Sequence, residues 1–465
     1  MSKIFIGARE IDVKDGEPLA EALIREGYPI ARPCGGRGVC GKCLVHVDGK
    51  SVLACKYRVA GDIRVTLPEE KPIVSVTGAK ETHAETMNGL PVLDIGTTTL
   101  AMALVSEEDG GIVRTVTRTN PQNVYGADVI SRIGVCMKQG PNELHRLLID
   151  AVNDMLRSLG VTGAPYLYAA GNTTMLHLFC NEDCSSLGKA PYTPVFLGRT
   201  EQKAAALGIM GVDKVVTLPG VAAFVGADIT AGLGHLPFPH DGKHAMLIDL
   251  GTNAEIVLYD QERALCTAAA AGPCFEGANI TCGMSASEGA ICRVLGDDPL
   301  ICETIGGKKA CGICGTGLID LIAALVANGT IDETGYLEDG RVTVAEDVFL
   351  TQADVRQYQL AKAAVCAGAE TLLEMGNVPY EDLEAVYLAG GFAAMINIAG
   401  AVGSGLLPKP LASLCRSVGN TSLLGAVDYA LGRFDAAALC RKMTYIDLSS
   451  SASFTKRFTD NMLFA

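Results

Sequence analysis

Four cysteines fall within residues 34–55 of this chain, and their spacing is that of a cluster-binding loop. The run Pro-Cys-Gly-Gly-Arg-Gly-Val-Cys-Gly-Lys-Cys sets gaps of five and two residues between Cys34, Cys40 and Cys43, and Cys55 follows eleven residues later. Thiolates spaced this way can converge on one small iron–sulfur cluster. The glycines between them let the backbone wrap closely and aim amide N–H groups at an anionic centre. The plant-type [2Fe-2S] pattern has a first gap one residue shorter and a later fourth cysteine. The alternative is a zinc site of four thiolates, but zinc ribbons carry two separated Cys-x2-Cys knuckles and this loop has one. Gly36-x4-Gly41-Lys42 imitates a phosphate loop. Position 43 is Cys where a hydroxyl would meet Mg²⁺, and no strand-to-helix context surrounds it.

A second chemistry is carried by two strand-turn-strand segments. Leu93–Val105 reads LDIGTTTLAMALV and Leu247–Leu258 reads LIDLGTNAEIVL. Each is an apolar strand ending in an aspartate, a Gly-Thr turn, and a second apolar strand. Such turns offer backbone N–H groups and hydroxyls to phosphate oxygens. Asp94 and Asp249 are the candidates to organise Mg²⁺, through water, because Mg²⁺ dehydrates reluctantly. Gly96, Thr97, Thr98 and Thr99 in the first turn, and Gly251, Thr252 and Asn253 in the second, are the candidate phosphate contacts. A third segment, YLAGGFAAMINI, ends a strand in Gly390-Gly391-Phe392. It suits close approach to a flat ligand such as adenosine, or else a glycine-capped turn.

These residues need scaffolds. Residues 3–13 read as a strand pair turning near Gly7, 18–27 as a short helix, 44–54 as a hairpin turning at Asp48-Gly49, and 62–67 as a further strand. This order predicts a β-grasp unit over residues 1–68. A polar linker follows at 69–90. From Pro91 small apolar strands alternate with long helices such as 142–158 and 358–376, an α/β pattern. The two Asp-x-Gly-Thr segments, and a second pair, LYAAGN and VYLAGG, make an internal repeat. The repeat predicts two related lobes, 91–240 and 241–465, with a cleft between them. The fold class is therefore multidomain, α+β followed by α/β.

Composition narrows the class. With 38 Lys+Arg against 52 Asp+Glu, the net charge is −14, which argues against a general nucleic-acid binder. The hydrophobic share of 49% excludes a disordered chain. No apolar run reaches the length of a membrane span, and the N-terminus lacks a signal-peptide pattern. A cytoplasmic protein is expected, and in that compartment the other thirteen cysteines read as buried small apolar residues. Cys311 and Cys314 fit a tight turn before a helix, and His177 a packed histidine. Seven Lys/Arg within residues 31–66, Arg32 among them, against Asp48 and Asp62 form a basic island that could steer an acidic partner.

Taken together, LDIGTTT, IDLGTNAEI and LAGGFAAMI resemble the ASKHA superfamily of acetate kinases, sugar kinases and actin. That resemblance implies a two-lobed, ribonuclease-H-like ATPase binding MgATP, with the first aspartate near the metal. AAGNTTM with Asn172, AAGPCFEGA, CGICGTGLID, GLLP and GNTSLLGA resemble, more narrowly, the reductive activators of corrinoid proteins, in which a [2Fe-2S] ferredoxin domain precedes an ASKHA domain. The resemblance implies ATP-dependent one-electron reduction of a Co(II) corrinoid protein to Co(I). It implies a low-potential donor such as a ferredoxin or flavodoxin, and a homodimer is among the expected assemblies. Only about two dozen residues separate the cluster unit from LDIGTTT, so a short form lacking the family's middle domain is expected. Two other readings are an electron donor to a different metalloenzyme and a small-molecule kinase with a redox-regulatory domain. A third is a nucleotide-binding sensor without turnover.

Overall fold

The computed structural model describes residues 2–464 apart from 8, 29, 31, 33–35, 37, 39–42, 68–88, 127 and 392. Cys34, Cys40, Phe392 and nearly all of the expected linker lie outside the described residues.

The N-terminal unit contains strands β1 (Ser2–Ile6), β2 (Arg9–Val13), β3 (Leu44–Val47), β4 (Lys50–Leu53) and β5 (Ile63–Thr66), and helix α1 (Leu19–Arg25). The sheet order is β2-β1-β5-β3-β4, with β1 antiparallel to β2 and parallel to β5. Asp48 and Gly49 both take positive φ, the geometry that turns a two-residue hairpin in keeping with strand twist. Alternation places Ile4, Ile11, Val45 and Val65 on one face, where Leu19 and Leu23 of α1 cover them.

The first lobe holds β6 (Leu90–Ile95), β7 (Thr99–Val105), β8 (Ile112–Thr119), α2 (Val129–Gln139), α3 (Asn142–Ser158), β9 (Ala164–Gly171), α4 (Thr173–Phe179), β10 (Thr200–Lys203) and β11 (Val212–Thr217). Its sheet runs β10-β11-β9-β6-β7-β8.

The first lobe ends with α5 (Ala227–His235), and the second opens with β12 (His244–Leu250), β13 (Ala254–Tyr259) and β14 (Ala264–Ala269). There follow β15 (Ala290–Leu295), β16 (Ile301–Thr304), β17 (Gly312–Ile313), α6 (Gly315–Ala327), β18 (Arg341–Ala345), β19 (Val348–Thr351) and α7 (Gln352–Gly376). It ends with β20 (Leu383–Ala389), α8 (Ile398–Gly403), β21 (Cys415–Gly419), α9 (Thr421–Ala430), α10 (Ala436–Lys442), β22 (Met443–Tyr445) and α11 (Ala452–Asp460). Its sheet runs β21-β20-β12-β13-β14-β22.

The repeat is structural. In the first lobe β6 and β7 pair antiparallel and β9 lies parallel to β6. In the second, β12 and β13 pair antiparallel and β20 lies parallel to β12. The central strands are buried on both faces, which explains their near-continuous apolar runs.

One helix boundary differs from the sequence reading. Helix α7 starts six residues before the expected 358, because Thr351 and Asp354 form a reciprocal capping box that carries the helix back to Gln352.

The lobes interlock through α5 and α9. Ala227 and Ala231 of α5 pack in the first-lobe core with Leu423, Ala426 and Val427 of α9. Val225, Ile229 and Leu233 pack in the second-lobe core. The helix therefore belongs to both lobes, and α9 returns from the end of the chain to cover β6.

Candidate nucleotide cleft and cluster loop

A cavity of about 560 Å³ opens where the two repeated hairpins face each other. It is lined by Asp94, Gly96, Thr97, Thr98 and Thr99 of the first hairpin and by Asp249, Gly251, Thr252 and Asn253 of the second. Asn172, Gly390 and Gly391 complete the set expected from sequence. The size suits a small-molecule ligand. Asn172 caps α4 by accepting from the Met175 N–H, and its Nδ2 donates to the Thr97 hydroxyl at 3.0 Å. Gly390, with φ +111, lies against the Leu250 carbonyl and Asp249, so the end of β20 reaches the second hairpin directly.

Sequence reasoning missed several residues of this cleft. Asp228 opens α5 and faces the cavity, as do Glu255 of β13, Glu276, Asn420 and Ser422. Asn420 and Ser422 each hold one oxygen of Asp94, at 2.8 and 2.7 Å. Oε2 of Glu276 accepts from Thr98 at 2.7 Å and from Thr252 at 2.9 Å, so one oxygen touches both hairpins. Asn420, Ser422 and Glu276 sit in segments that carried the family resemblance, which was their only sequence signal. Asp228 had a fainter one, an acid opening an otherwise apolar helix.

Behind the first hairpin lies Arg132 of α2, fully buried. Its guanidinium donates to Gln122 Oε1 at 3.1 Å and Asn123 Oδ1 at 2.7 Å, and also to the Thr97 carbonyl at 2.5 Å. Burial lowers its pKa to about 9, so it stays cationic at neutral pH. It fixes the backbone of the turn and places a positive charge behind it.

The carboxyls respond to crowding. Desolvation deep in the cleft, then the Asp94 charge, pushes Asp249 up to about 7. Desolvation also raises Asp228, with Asp249 and Asp94 adding to the shift, and Glu255, with Asp228 and Asp249 adding to it. Asp94 is raised by burial against its two hydrogen bonds. Such a group of oxygens fits a hard divalent cation and not a bare polyanion. Among the described residues no three His, Cys, Asp or Glu converge closely enough to hold an ion directly.

At the cluster loop, the thiols of Cys43 and Cys55 lie 3.2 Å apart. Gly36 and Gly38 both have positive φ, and a methyl group on Gly36 would sit 3.8 Å from Cβ of Cys55. Gly36 thus lies beside Cys55, and the Cys43–Cys55 thiol pair fits a thiolate-ligated cluster. The basic island needs one correction. Arg32 is 7% exposed, its guanidinium pairs with Glu21 at 2.5 Å, and its Nε donates to the Val124 carbonyl of the first lobe at 2.9 Å. It docks the loop onto the lobe and presents no free charge. His177 is a packed histidine: its Nδ1 lies 2.7 Å from the Thr173 carbonyl, its Nε2 accepts from the Val195 N–H, and its ring stacks on Phe196. Cys314 stands at the N-cap position of α6 without a side-chain capping bond, and the residues before it, Gly312–Ile313, form strand β17 where a tight turn was expected.

Two lobes built on one hairpin unit around a ligand-sized cleft, preceded by a ferredoxin-like unit, define an ASKHA-type fold fused to an iron–sulfur domain. Residues 4–64 match the 2Fe-2S iron-sulfur cluster binding domain, residues 89–238 the RACo middle region, and residues 243–465 the C-terminal domain of RACo, the ASKHA domain. Matches to the RACo middle region and to the C-terminal domain of RACo thus follow, in order, a match to a 2Fe-2S domain. This overturns the expected loss of the middle domain. The residues read as the first lobe are themselves the family's middle region, so the short spacing before Leu93 concerns only the linker.

The chain is 28% identical to the corrinoid activation enzyme RamQ of Eubacterium limosum over an alignment of 587 positions, covering 98% of this chain and 97% of that protein. It is 26% identical to the [Co(II) methylated amine-specific corrinoid protein] reductase of Methanosarcina barkeri, over 78% of this chain and 74% of that one. The solved structure of a reductive activator for corrinoid,iron-sulfur protein matches with a TM-score of 0.73 at 28% identity, covering 100% of this chain and 98% of that one. Among the described residues no helix is long and apolar enough to cross a membrane.

Proposed function

We propose that this chain is an ATP-dependent reductive activator that passes one electron to a Co(II) corrinoid protein and regenerates Co(I). The observation that carries this reading is the presence, in one chain, of a cluster loop and a two-hairpin cleft, in a fold matched along its whole length by a reductive activator. The cytoplasm is the compartment we assign.

Cys34, Cys40, Cys43 and Cys55 hold the cluster, which when bound supplies electrons singly at low potential. A ferredoxin or flavodoxin is the donor we assign. Arg32 fixes the loop against the first lobe. In the cleft, Thr97, Thr98, Thr252 and Asn253 contact phosphate oxygens, and Asn172 orients Thr97. Asp249 organises Mg²⁺ together with Asp94, whose position Asn420 and Ser422 fix. Gly390, Gly391 and Phe392 take the nucleoside.

The two modules need each other on energetic grounds. Plant-type clusters lie near about −400 mV. Each 59 mV uphill in a one-electron step costs about 1.4 kcal/mol. If the Co(II) acceptor lies below that potential the transfer would run uphill, and ATP bound between the lobes would supply the coupling. The test is partner-stimulated turnover: a Co(II) corrinoid protein should accelerate ATP hydrolysis by this chain. Equal rates with and without every corrinoid protein offered, together with phosphate transfer to a small alcohol or acid, would favour the kinase reading.

A further inference from the structure

Glu276 has no part in the assignment above, yet it occupies the most telling position in the cleft. It ends the tight turn Pro273–Glu276 in the second lobe. Its Oε2 receives both the Thr98 hydroxyl of the first lobe and the Thr252 hydroxyl of the second. These are two of the hydroxyls best placed to meet phosphate. A threonine hydroxyl has one proton to donate. While Glu276 accepts both protons, neither can be given to a phosphate oxygen.

We infer that Glu276 is an internal stand-in for phosphate: it pins the two hairpins together across the cleft and is displaced by the phosphates of an entering nucleoside triphosphate. The inference rests on the nucleotide reading of the cleft. Two arguments carry it. An anion is the group that two convergent donors select: burial raises the Glu276 pKa, while the Thr98 and Thr252 hydrogen bonds, and more weakly the Arg132 charge behind the first hairpin, favour its charged form. A carboxylate left among Asp94, Asp228 and Asp249 also adds repulsion against a polyphosphate, so its removal should favour the ligand. A residue that merely braced the cleft would do the opposite, because its loss would loosen the site.

The experiment is calorimetric titration of the whole protein with MgATP, and separately with adenosine, for wild type, Glu276→Gln and Glu276→Ala. Glutamine keeps an oxygen for the two threonines and loses the charge, so it preserves the fold. Both variants should bind MgATP about tenfold or more tightly than wild type, with adenosine affinity unchanged. MgATP binding to the variants alone would also support the inference. If wild type binds MgATP and Glu276→Gln binds it equally or more weakly, the stand-in role is overturned while the nucleotide reading survives. If neither wild type nor variants bind any nucleotide, the nucleotide reading itself fails, and the inference falls with it.

Discussion

Ser422 donates its hydroxyl to Oδ1 of Asp94 at 2.7 Å, although the two residues stand 328 positions apart in the chain. Asn420 takes the other oxygen at 2.8 Å while capping α9. The first-hairpin aspartate is therefore a tether that draws α9 across the first lobe as well as a cleft carboxylate. Hydrogen bonds to charged groups contribute about 1.5–3 kcal/mol each. Ser422→Ala should lower stability by about that much in chemical denaturation and weaken MgATP binding through a misplaced Asp94. An unchanged denaturation midpoint would show that the tether contributes nothing.

The division of labour predicts a double dissociation. Cys40→Ser should lose the visible absorption and the EPR signal of the cluster, and with them electron transfer, while binding MgATP normally. Asp249→Ala should keep the cluster signals and lose MgATP-dependent activity. If either variant loses both functions with its fold intact, the two modules are not separable as described.

The cleft carboxyls predict an inverted pH dependence. Asp249 rises from 3.8 to about 7 through desolvation and the Asp94 charge, and Asp94, Asp228, Glu255 and Glu276 shift the same way. The folded chain then holds protons that the unfolded chain releases between about pH 4 and pH 7, so stability is fullest below that window and is lost as pH rises through it. The stability of the nucleotide-free protein, read as its Tm, should fall between about pH 4 and pH 7, by at most about 1.4 kcal/mol per pH unit for each group and less where the cavity admits water. Asp249→Asn should flatten the slope, as should saturating MgATP. A Tm that rises over this range would contradict the crowding.

Gly425 predicts the sensitivity of the lobe junction. A methyl group there would lie 1.8 Å from the Ala231 carbonyl oxygen, where α9 crosses α5. Alanine gains about 1 kcal/mol of helix propensity over glycine. The clash involves backbone and should outweigh that gain, giving Gly425→Ala a net loss of about 1–3 kcal/mol. Nucleotide affinity should fall in parallel, because both hairpins hang from this crossing. A variant of wild-type stability and affinity would show that the crossing can open without cost.

The hairpins were legible because a strand, an acid and a Gly-Thr turn recur in both halves, and the cysteine loop because ligand spacing is local. Asp228 was barely legible, as an acid near the start of an apolar helix. It reaches the cleft only through the packing of α5 between two cores, which no local pattern encodes. The Asp94–Ser422 contact is silent in sequence, since nothing in either segment specifies a partner so far away. Glu276 lay in plain view within AAGPCFEGA, but its reach to both threonines depends on how the lobes face one another. The start of α7 was missed for a local reason: the Thr351–Asp354 cap lies before the apolar periodicity begins. Arg32 was misread because charge counting cannot tell a docked guanidinium from a solvated one.

The most direct measurement is anaerobic. The chemically reduced protein is mixed with a Co(II) corrinoid protein, and the Co(I) absorption band is followed with and without MgATP. The account predicts that the band grows only when MgATP is present and that Cys40→Ser abolishes the growth. A flat trace with a loaded cluster, bound MgATP and a competent corrinoid protein would contradict it, and so would equal growth without nucleotide.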